Sequence, residues 1–569
     1  MKVCLTLLLV LAWGVEATAI ETLRPEQLHP GMKGYGLSVF QGTKPERFEV
    51  EILGVLPHAF PKQDMILIRM SGAGLEKHKV IAGMSGSPVY VDGKLIGALA
   101  YGWTFENEPL AGVTPIHNML AELNRPAAAQ PESAGGTGWS APAATPRSPA
   151  ESGTTPRPLL TPLSLGGFSP RTVEMLAGQF EPFGLMPIAA GGAAGGGTNL
   201  PRGRIEPGSA IGVQLIRGDL SATAVGTATY VDGDRILAFG HPFFHGGRVT
   251  APAVLAEVHT IMSSVSRSFK MATGVADVGA LVGDWQSCIV ADAGIKAHMI
   301  PVTVEIANRD TGQHERYAME VIDNQSFSPM LVQAALAEAI TAASGSSQDT
   351  TVRVELSAEL ADRTVRVANT FFNPQGGLLE PWALVPLLQV FDTPFGHPAV
   401  KRIAVQVDAT LARQTAEIKR AYFSKAEVER GQRALLSIVL KPFGQPEVIR
   451  TVEIAVPAAT DTMRQLTVTV MAGGRAPADV APPDSLNDYL ESLQKQHHTT
   501  DLVALVQSPG QGLQYKGQLL KNLPPSALAV LSDAGASEVV NAADIQQIVL
   551  PTDWVLSGMA TVRVPIRQE

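Results

Sequence analysis

The feature that most constrains this 569-residue chain is a short run of glycine and serine directly before a hairpin signal. The run is Gly83-Met84-Ser85-Gly86-Ser87-Pro88, which has the spacing G-x-S-G-x-P. Two apolar, β-forming segments follow, and Asp92-Gly93 between them is typical of a two-residue hairpin turn. Because tight turns use glycine and serine for backbone reasons alone, the six residues by themselves also fit a plain turn between strands. The hairpin after them favours a buried β core with Ser85 at its mouth.

A serine held on a glycine turn is also a candidate nucleophile. In trypsin-like peptidases such a turn directs backbone N–H groups at the developing oxyanion, and a base takes the proton of the serine. Among the 12 histidines, His241 ends the segment RILAFGH, which follows a second hairpin signal at Asp232-Gly233. A strand is a rigid support for a side chain, so we favour His241 as the base over His58 and His78, which lie nearer in sequence.

Composition narrows the class of protein. With 45% apolar and 17% charged residues, most of the chain should fold, and 54 glycines and 41 prolines indicate short strands and many turns. The net charge of −9 gives no support to nucleic-acid binding, which needs a basic surface. Beyond the N-terminus, the sequence has no uninterrupted apolar run of about 18 residues, which argues against a polytopic membrane protein.

The N-terminus has the pattern of a secretory signal peptide, residues 1–19. Lys2 is followed by an apolar run and by the A-x-A cleavage site Ala17-Thr18-Ala19. We therefore expect an exported protein that is periplasmic, attached to the cell envelope or secreted. Cys4 would leave with the signal, and Cys288 would remain as a buried, inert thiol.

The spacing of His241 and His245 also occurs in zinc-binding helices. Pro242 and Gly246-Gly247 argue against a helix there, and H-E-x-x-H does not occur in the sequence, so zinc is the weaker alternative. We expect neither a metal nor an organic cofactor.

The segment GMSGSPVYVDGKLIGALAYGW, with GVTPIHNML after it, resembles the SpoIVB-type serine peptidase family, named for the stage IV B sporulation peptidase. The likeness extends over about residues 31–120. A second likeness, in GTATYVDGDRILAFGHPF, covers about residues 222–302 and resembles the histidine segment of the family. The resemblance implies that Ser85 is the nucleophile, that His241 is the general base, and that Gly83 and Ser85 supply the oxyanion-hole amides.

The chain departs from the family in two ways. The serine half precedes the histidine half, which suggests a circular permutation across a long connection. The aspartate of the family falls near Ser71, which cannot replace it. Asp64 is our candidate for the acid and Asp284 another; without an acid the site is a dyad or is degenerate.

These signals predict a mainly β chain: a permuted trypsin-like β-barrel peptidase domain, then an immunoglobulin-like β-sandwich and a small α+β tail. The Pro/Ala/Ser/Gly-rich tract 125–158 should not order itself. The predicted divisions are a signal peptide (1–19), a serine half (20–124), a linker with a small strand–helix segment (125–203), a histidine half (204–302), a mixed α+β segment (303–400), the sandwich (401–475) and a C-terminal mixed segment (476–569).

The predicted function is that of an exported serine endopeptidase that uses a Ser-His or Ser-His-Asp mechanism on protein or peptide substrates and processes itself. The rival is a catalytically inactive, peptidase-like scaffold that binds envelope proteins near the membrane. The missing aspartate favours the scaffold. The intact G-x-S-G-x-P run and the placed histidine favour the enzyme, which is our interpretation.

Overall fold

The computed structural model describes most of the chain from Ile20 onwards. The described residues are 20–103, 107–123, 125, 155–190, 200–244, 246–325, 327–344, 349–374, 388–391, 393–396, 398–457, 464–477, 483–508, 512–515, 518–521, 526, 539–540 and 544–567. The predicted signal peptide and most of the Pro/Ala-rich tract lie outside them. None of the helices within these ranges has the length and apolar character of a membrane-spanning segment.

Six antiparallel strands near the N-terminus close into a first barrel. They are β1 (Lys33–Ser38), β2 (Glu46–Phe60), β3 (Gln63–Ser71), β4 (Pro88–Val91), β5 (Lys94–Gly102) and β6 (Leu110–Pro115). Their order is β4-β1-β2-β3-β6-β5, and pairing of β4 with β5 completes the ring. Asp92 and Gly93 both have positive φ, so the β4–β5 hairpin turns where the sequence predicts it. The short helices α1 (Leu75–His78) and α2 (Ile116–Leu123) flank the barrel, and β7 (Arg157–Pro158) pairs with β5.

A second ring of six antiparallel strands follows. These strands are β10 (Ala210–Gly218), β11 (Ser221–Asp232), β12 (Arg235–Ala238), β13 (Ala251–Met262), β14 (Phe269–Asp284) and β15 (Ile289–Asp292). Their order is β10-β13-β14-β15-β12-β11, and β10 also pairs with β11. The predicted strand–helix segment is present as β8 (Thr161–Gly166), α3 (Pro170–Phe180) and β9 (Leu185–Ala189), and β8 extends the sheet from β11.

The two barrels share an apolar core. Its buried members come from β4, β5 and α2 on one side and from β12, β15 and the segment before β15 on the other: Tyr90, Leu95, Ala98, Ile116, Met119, Leu237, Cys288 and Val290. The Cys288 thiol is fully buried, as expected, and burial raises its pKa well above the usual range. Each barrel therefore covers apolar surface of the other.

A mixed α+β region extends the second barrel. Its elements are β16 (Met299–Asn308), β17 (His314–Ile322), α4 (Ser328–Ser344), β18 (Thr350–Leu360), β19 (Thr364–Asn373) and β20 (Val400–Thr410). Pairing of β17 with β10 joins these strands to the ring, so that one sheet contains thirteen strands. Helix α4 packs on β16 and β17.

The C-terminal sandwich has different bounds from those predicted. Its two four-stranded sheets, β23-β22-β21-β30 and β29-β25-β24-β31, enclose one apolar core. The strands are β21 (Thr415–Phe423), β22 (Arg433–Pro442), β23 (Val448–Ala455), β24 (Gln465–Ala472), β25 (Asp501–Ser508), β29 (Asp544–Pro551), β30 (Val555–Ser557) and β31 (Met559–Pro565). The predicted sandwich spans 401–475, but β20 belongs to the large sheet and four sandwich strands follow residue 475. The cause is pairing between strands distant in sequence, such as β24 with β31.

Small elements complete the C-terminal region. Helix α5 (Leu486–Gln494) begins at Ser485, whose side chain accepts a hydrogen bond from the Asp488 N–H, and it packs on β19. A three-stranded sheet consists of β26 (Gly512–Tyr515), β27 (Gln518–Lys521) and β28 (Val539–Val540).

Candidate active site

The turn Gly83–Ser87 carries Ser85 directly before β4. Ser85 is fully buried, and within the described residues its Oγ has no hydrogen-bond partner. φ is +95° at both Gly83 and Gly86, a conformation that side chains disfavour. A Cβ at Gly86 would also lie 1.9 Å from the carbonyl oxygen of Thr227 in the second barrel. The turn is therefore shaped by contact between the two barrels as well as by its own sequence.

The two peptide groups that carry the Gly83 and Ser85 N–H groups have fixed orientations. The Ala82 carbonyl accepts a hydrogen bond from the Lys270 N–H (3.1 Å), and the Met84 carbonyl accepts one from the Ser87 N–H (2.9 Å). A trans peptide directs its N–H away from its C=O, so the Gly83 and Ser85 N–H groups point away from these donors. In the described part of the chain, neither N–H donates to another protein group. Together they form a pair of unused donors beside Ser85.

Strand β11 of the second barrel holds the remaining carbonyls of the turn. The Thr227 N–H donates to the Ser85 carbonyl (2.8 Å), and the Thr227 hydroxyl donates to the Gly83 carbonyl (2.9 Å). The Thr229 hydroxyl donates to the Gly86 carbonyl (2.7 Å). The Gly83, Ser85 and Gly86 carbonyls are therefore occupied, while the Gly83 and Ser85 N–H groups remain unused within the described residues.

His241 follows β12 and is 2% exposed. Its Nδ1 lies 2.7 Å from the carbonyl oxygen of Pro242. A carbonyl only accepts, so Nδ1 carries the proton, and a neutral ring then has Nε2 as its acceptor. A base for a serine hydroxyl needs this tautomer. His245 lies outside the described residues.

The serine turn and the histidine segment meet at Leu99 of β5. The Gly86 N–H donates to the Leu99 carbonyl (2.7 Å), and a Cβ at Gly240 would lie 3.2 Å from the same oxygen. The Thr114 hydroxyl of β6 donates to the Gly240 carbonyl (2.6 Å), which ties the histidine segment to the first barrel. The residues adjacent to Ser85 and His241 thus pack on one carbonyl, although the Ser85 Oγ itself is not hydrogen-bonded to the imidazole.

Asp284, at the end of β14, holds the backbone that follows His241. Its buried carboxylate accepts hydrogen bonds from the N–H groups of Phe243 (2.7 Å), Phe244 (2.6 Å) and Gly246 (3.0 Å). The Pro242–Phe243 peptide therefore contacts His241 through its carbonyl and Asp284 through its N–H. One peptide group connects the imidazole to this carboxylate.

Comparison with known families identifies part of this assembly. Residues 15–120 match the model of the SpoIVB peptidase S55 family. The resemblance predicted from the sequence is confirmed over this part, which we call the S55 segment. It contains the whole first barrel and the Gly83–Ser87 turn, and the match implies a serine peptidase acting on a protein substrate. His241 and Asp284 lie beyond the matched residues. Neither a curated protein nor a solved structure matches the chain.

Asp64, the acid predicted within the S55 segment, lies in the β2–β3 hairpin. Its carboxylate accepts a hydrogen bond from the His58 N–H (2.8 Å) and is 4.0 Å from the Nδ1 of His58, whose side chain is largely exposed. The described contacts of Asp64 are within this hairpin and do not include Ser85 or His241. His78 lies at the end of α1 beside Gly74.

Lys270 is a residue of the site that the sequence analysis missed. It is fully buried on β14, and its Nζ donates to the hydroxyls of Ser38 (2.9 Å) and Thr227 (3.3 Å). Burial lowers its pKa to about 7. The signal in the sequence is faint: one lysine among the apolar and small residues at the start of β14, far along the chain from Ser85.

Proposed function

We propose that this protein is an exported serine endopeptidase with Ser85 as nucleophile and His241 as general base. The observation that carries the proposal is the orientation of the turn, which leaves the Gly83 and Ser85 N–H groups unused while its carbonyls are bonded. Two convergent N–H groups beside a serine are what an acyl-transfer site needs to stabilise a tetrahedral oxyanion.

The reaction follows from these groups. The Ser85 Oγ attacks the carbonyl carbon of the substrate peptide, and the Nε2 of His241 takes its proton. The Gly83 and Ser85 N–H groups donate to the oxyanion until the bond to the leaving amine breaks and His241 protonates that amine. Water then attacks the acyl-enzyme with His241 again as base, which releases the acid product and restores Ser85.

We assign the orienting acid to Asp284 rather than to Asp64. Asp284 acts through the Pro242–Phe243 peptide, whose carbonyl accepts the Nδ1 proton of His241. This arrangement fixes the tautomer, as the acid of a triad does, without direct contact being required. The hydrogen bond and ion pair of Asp64 are both with His58, and neither involves His241.

The architecture supports a permuted trypsin-like domain. Trypsin-like peptidases place the active site between two β-barrels, and here the serine turn and the histidine segment come from two rings of six antiparallel strands that meet at Leu99. The serine barrel comes first in this chain. The signal pattern at residues 1–19 supports export to the periplasm, the cell envelope or the medium, where envelope proteins and the tract 125–158 would be substrates.

Covalent labelling tests the proposal. We expect a serine-directed fluorophosphonate to label the wild-type protein, and Ser85→Ala and His241→Ala to lose labelling to a similar extent, because these residues act as a unit. Ser164→Ala, a buried serine on β8, is the matched control and should label normally. Equal labelling of wild type and Ser85→Ala would contradict the proposal and leave a peptidase-like binding scaffold.

A further inference from the structure

Lys270 is a buried lysine, and within the described residues its amine makes hydrogen bonds to hydroxyl groups. Within the described residues, its Nζ bonds to Ser38 and Thr227, and the contacts include no carboxylate. By contrast, the buried Arg217 lies 2.6 Å from a carboxylate oxygen of Glu320. A buried charge without a counter-charge costs stability, and a methionine would fill similar space at no such cost. Packing alone therefore does not account for a lysine at this position.

The lysine contacts the serine turn in three ways. Its N–H donates to the Ala82 carbonyl, which fixes the peptide that carries the Gly83 N–H. Its Cγ and Cδ lie 3.3 and 3.2 Å from the position that a Cβ at Gly83 would occupy. Its Nζ donates to the Thr227 hydroxyl, which in turn donates to the Gly83 carbonyl. Backbone, stem and amine all lie against the same turn.

We propose that Lys270 is a positioning residue that places a positive charge against the Gly83–Ser87 turn and, through Thr227, keeps the turn in its oxyanion-binding form. The inference rests on the proposed function, because it gives the charge a role only if the turn binds an oxyanion. We assign Lys270 no role as a base for Ser85, because its Nζ is directed at the hydroxyls of Ser38 and Thr227.

The protonation state of Lys270 decides the direction of the hydrogen bond from Thr227. An ammonium group has donors only, so the Thr227 oxygen must accept a hydrogen bond from it. The Thr227 hydroxyl then donates its own hydrogen to the Gly83 carbonyl. A neutral amine has a lone pair that can accept this proton and release the carbonyl. The charged form therefore both fixes the turn and attracts an oxyanion.

The surroundings of the amine make this state sensitive to pH. The amine contacts the hydroxyls of Ser38 on β1 and Thr227 on β11, and the Ser38 hydroxyl also accepts a hydrogen bond from the Ser87 hydroxyl of the turn (3.1 Å). Burial is the cause of its lowered pKa, with no contribution from another charged group among the described residues. Acylation requires the neutral form of His241 and should fall on the alkaline side as Lys270 loses its proton.

The experiment measures the rate of fluorophosphonate acylation of the full chain from pH 5.5 to 9.5. We expect the wild-type rate to pass through a maximum and fall on the alkaline side, and Lys270→Met to react roughly ten to a hundred times more slowly, without that alkaline fall. Thr227→Val, which removes only the connecting hydroxyl, should be roughly tenfold slower. Lys441→Met, an exposed lysine on β22, is the control and should match the wild type.

Each outcome bears on the inference. If Lys270→Met has the wild-type acylation rate and the wild-type alkaline fall, the role of Lys270 is refuted. Ser85→Ala is measured in parallel, and its loss of labelling would show that the proposed function still stands. If Ser85→Ala labels like the wild type, both the proposed function and the role of Lys270 are refuted. If Lys270→Met fails to fold, the wild type and Thr227→Val provide the test. The role of Lys270 is refuted if the wild-type acylation rate stays flat above pH 7 and Thr227→Val reacts at the wild-type rate.

Discussion

Replacing Lys270 with methionine should stabilise the protein at low pH and lose this advantage as the pH rises. The pKa of Lys270 is about 7 in the folded protein because of burial, against an ordinary value of 10.5. Between these values the unfolded chain binds a proton that the folded protein does not, so wild-type stability increases with pH across this window. Methionine does not titrate, so the stability of the Lys270→Met protein does not change with pH through this residue.

The magnitude follows from the two pKa values. At about 1.4 kcal/mol per unit, the interval from 10.5 to about 7 corresponds to about 5 kcal/mol, which the charged lysine costs in full below pH 7. Taking the neutral lysine and methionine as equal in stability, we expect Lys270→Met to be about 5 kcal/mol more stable than the wild type at pH 6. Between pH 6 and 9 the difference should shrink by about 2.7 kcal/mol.

The assay is urea unfolding at a series of pH values, followed by hydrogen exchange and mass spectrometry of peptides from β14. These peptides report on the second barrel separately from the C-terminal sandwich. Lys441→Met is the control, and its difference from the wild type should not change with pH. A difference between Lys270→Met and the wild type that is constant within about 0.5 kcal/mol from pH 6 to 9 would refute the buried, unpaired cation.

Three further predictions concern the two barrels. Gly86→Ala should destabilise the protein by about 3 kcal/mol or more and abolish labelling, because its Cβ would lie 1.9 Å from the Thr227 oxygen; a normal melting temperature would contradict this packing. Asp284→Asn should reduce the acylation rate by roughly a hundredfold, since an amide cannot accept hydrogen bonds from all three N–H groups. Asp64→Asn should have little effect, and the opposite result would identify Asp64 as the orienting acid. Deleting about 20 residues within 128–152 should leave the labelling rate unchanged, because a tether acts through effective concentration, and a tenfold loss would show that the tract does more.

The sequence by itself determined the local structure of the serine site. Asp92-Gly93 specifies its hairpin through the φ values that those residues adopt, and short runs of apolar, β-forming residues specify the strands on either side. The G-x-S-G-x-P run also placed Ser85 on a turn, since glycine tolerates φ of +95° at Gly83 and Gly86. These properties depend on residues that are close together in the chain, so they can be predicted without knowledge of the tertiary structure.

Only the tertiary structure decided which distant groups surround that turn. Thr227 and Lys270 lie on β11 and β14 of the second barrel, and nothing in their own segments marks them as partners of the turn. Asp284 was only one of two candidate acids in the sequence, and its contacts with the backbone after His241 depend on how β14 packs. The sandwich is a similar case, because its strands after residue 475 pair with strands before it. Pairing and burial depend on how the sheets close in space, and the period of a strand pattern specifies which face is buried but not what covers it.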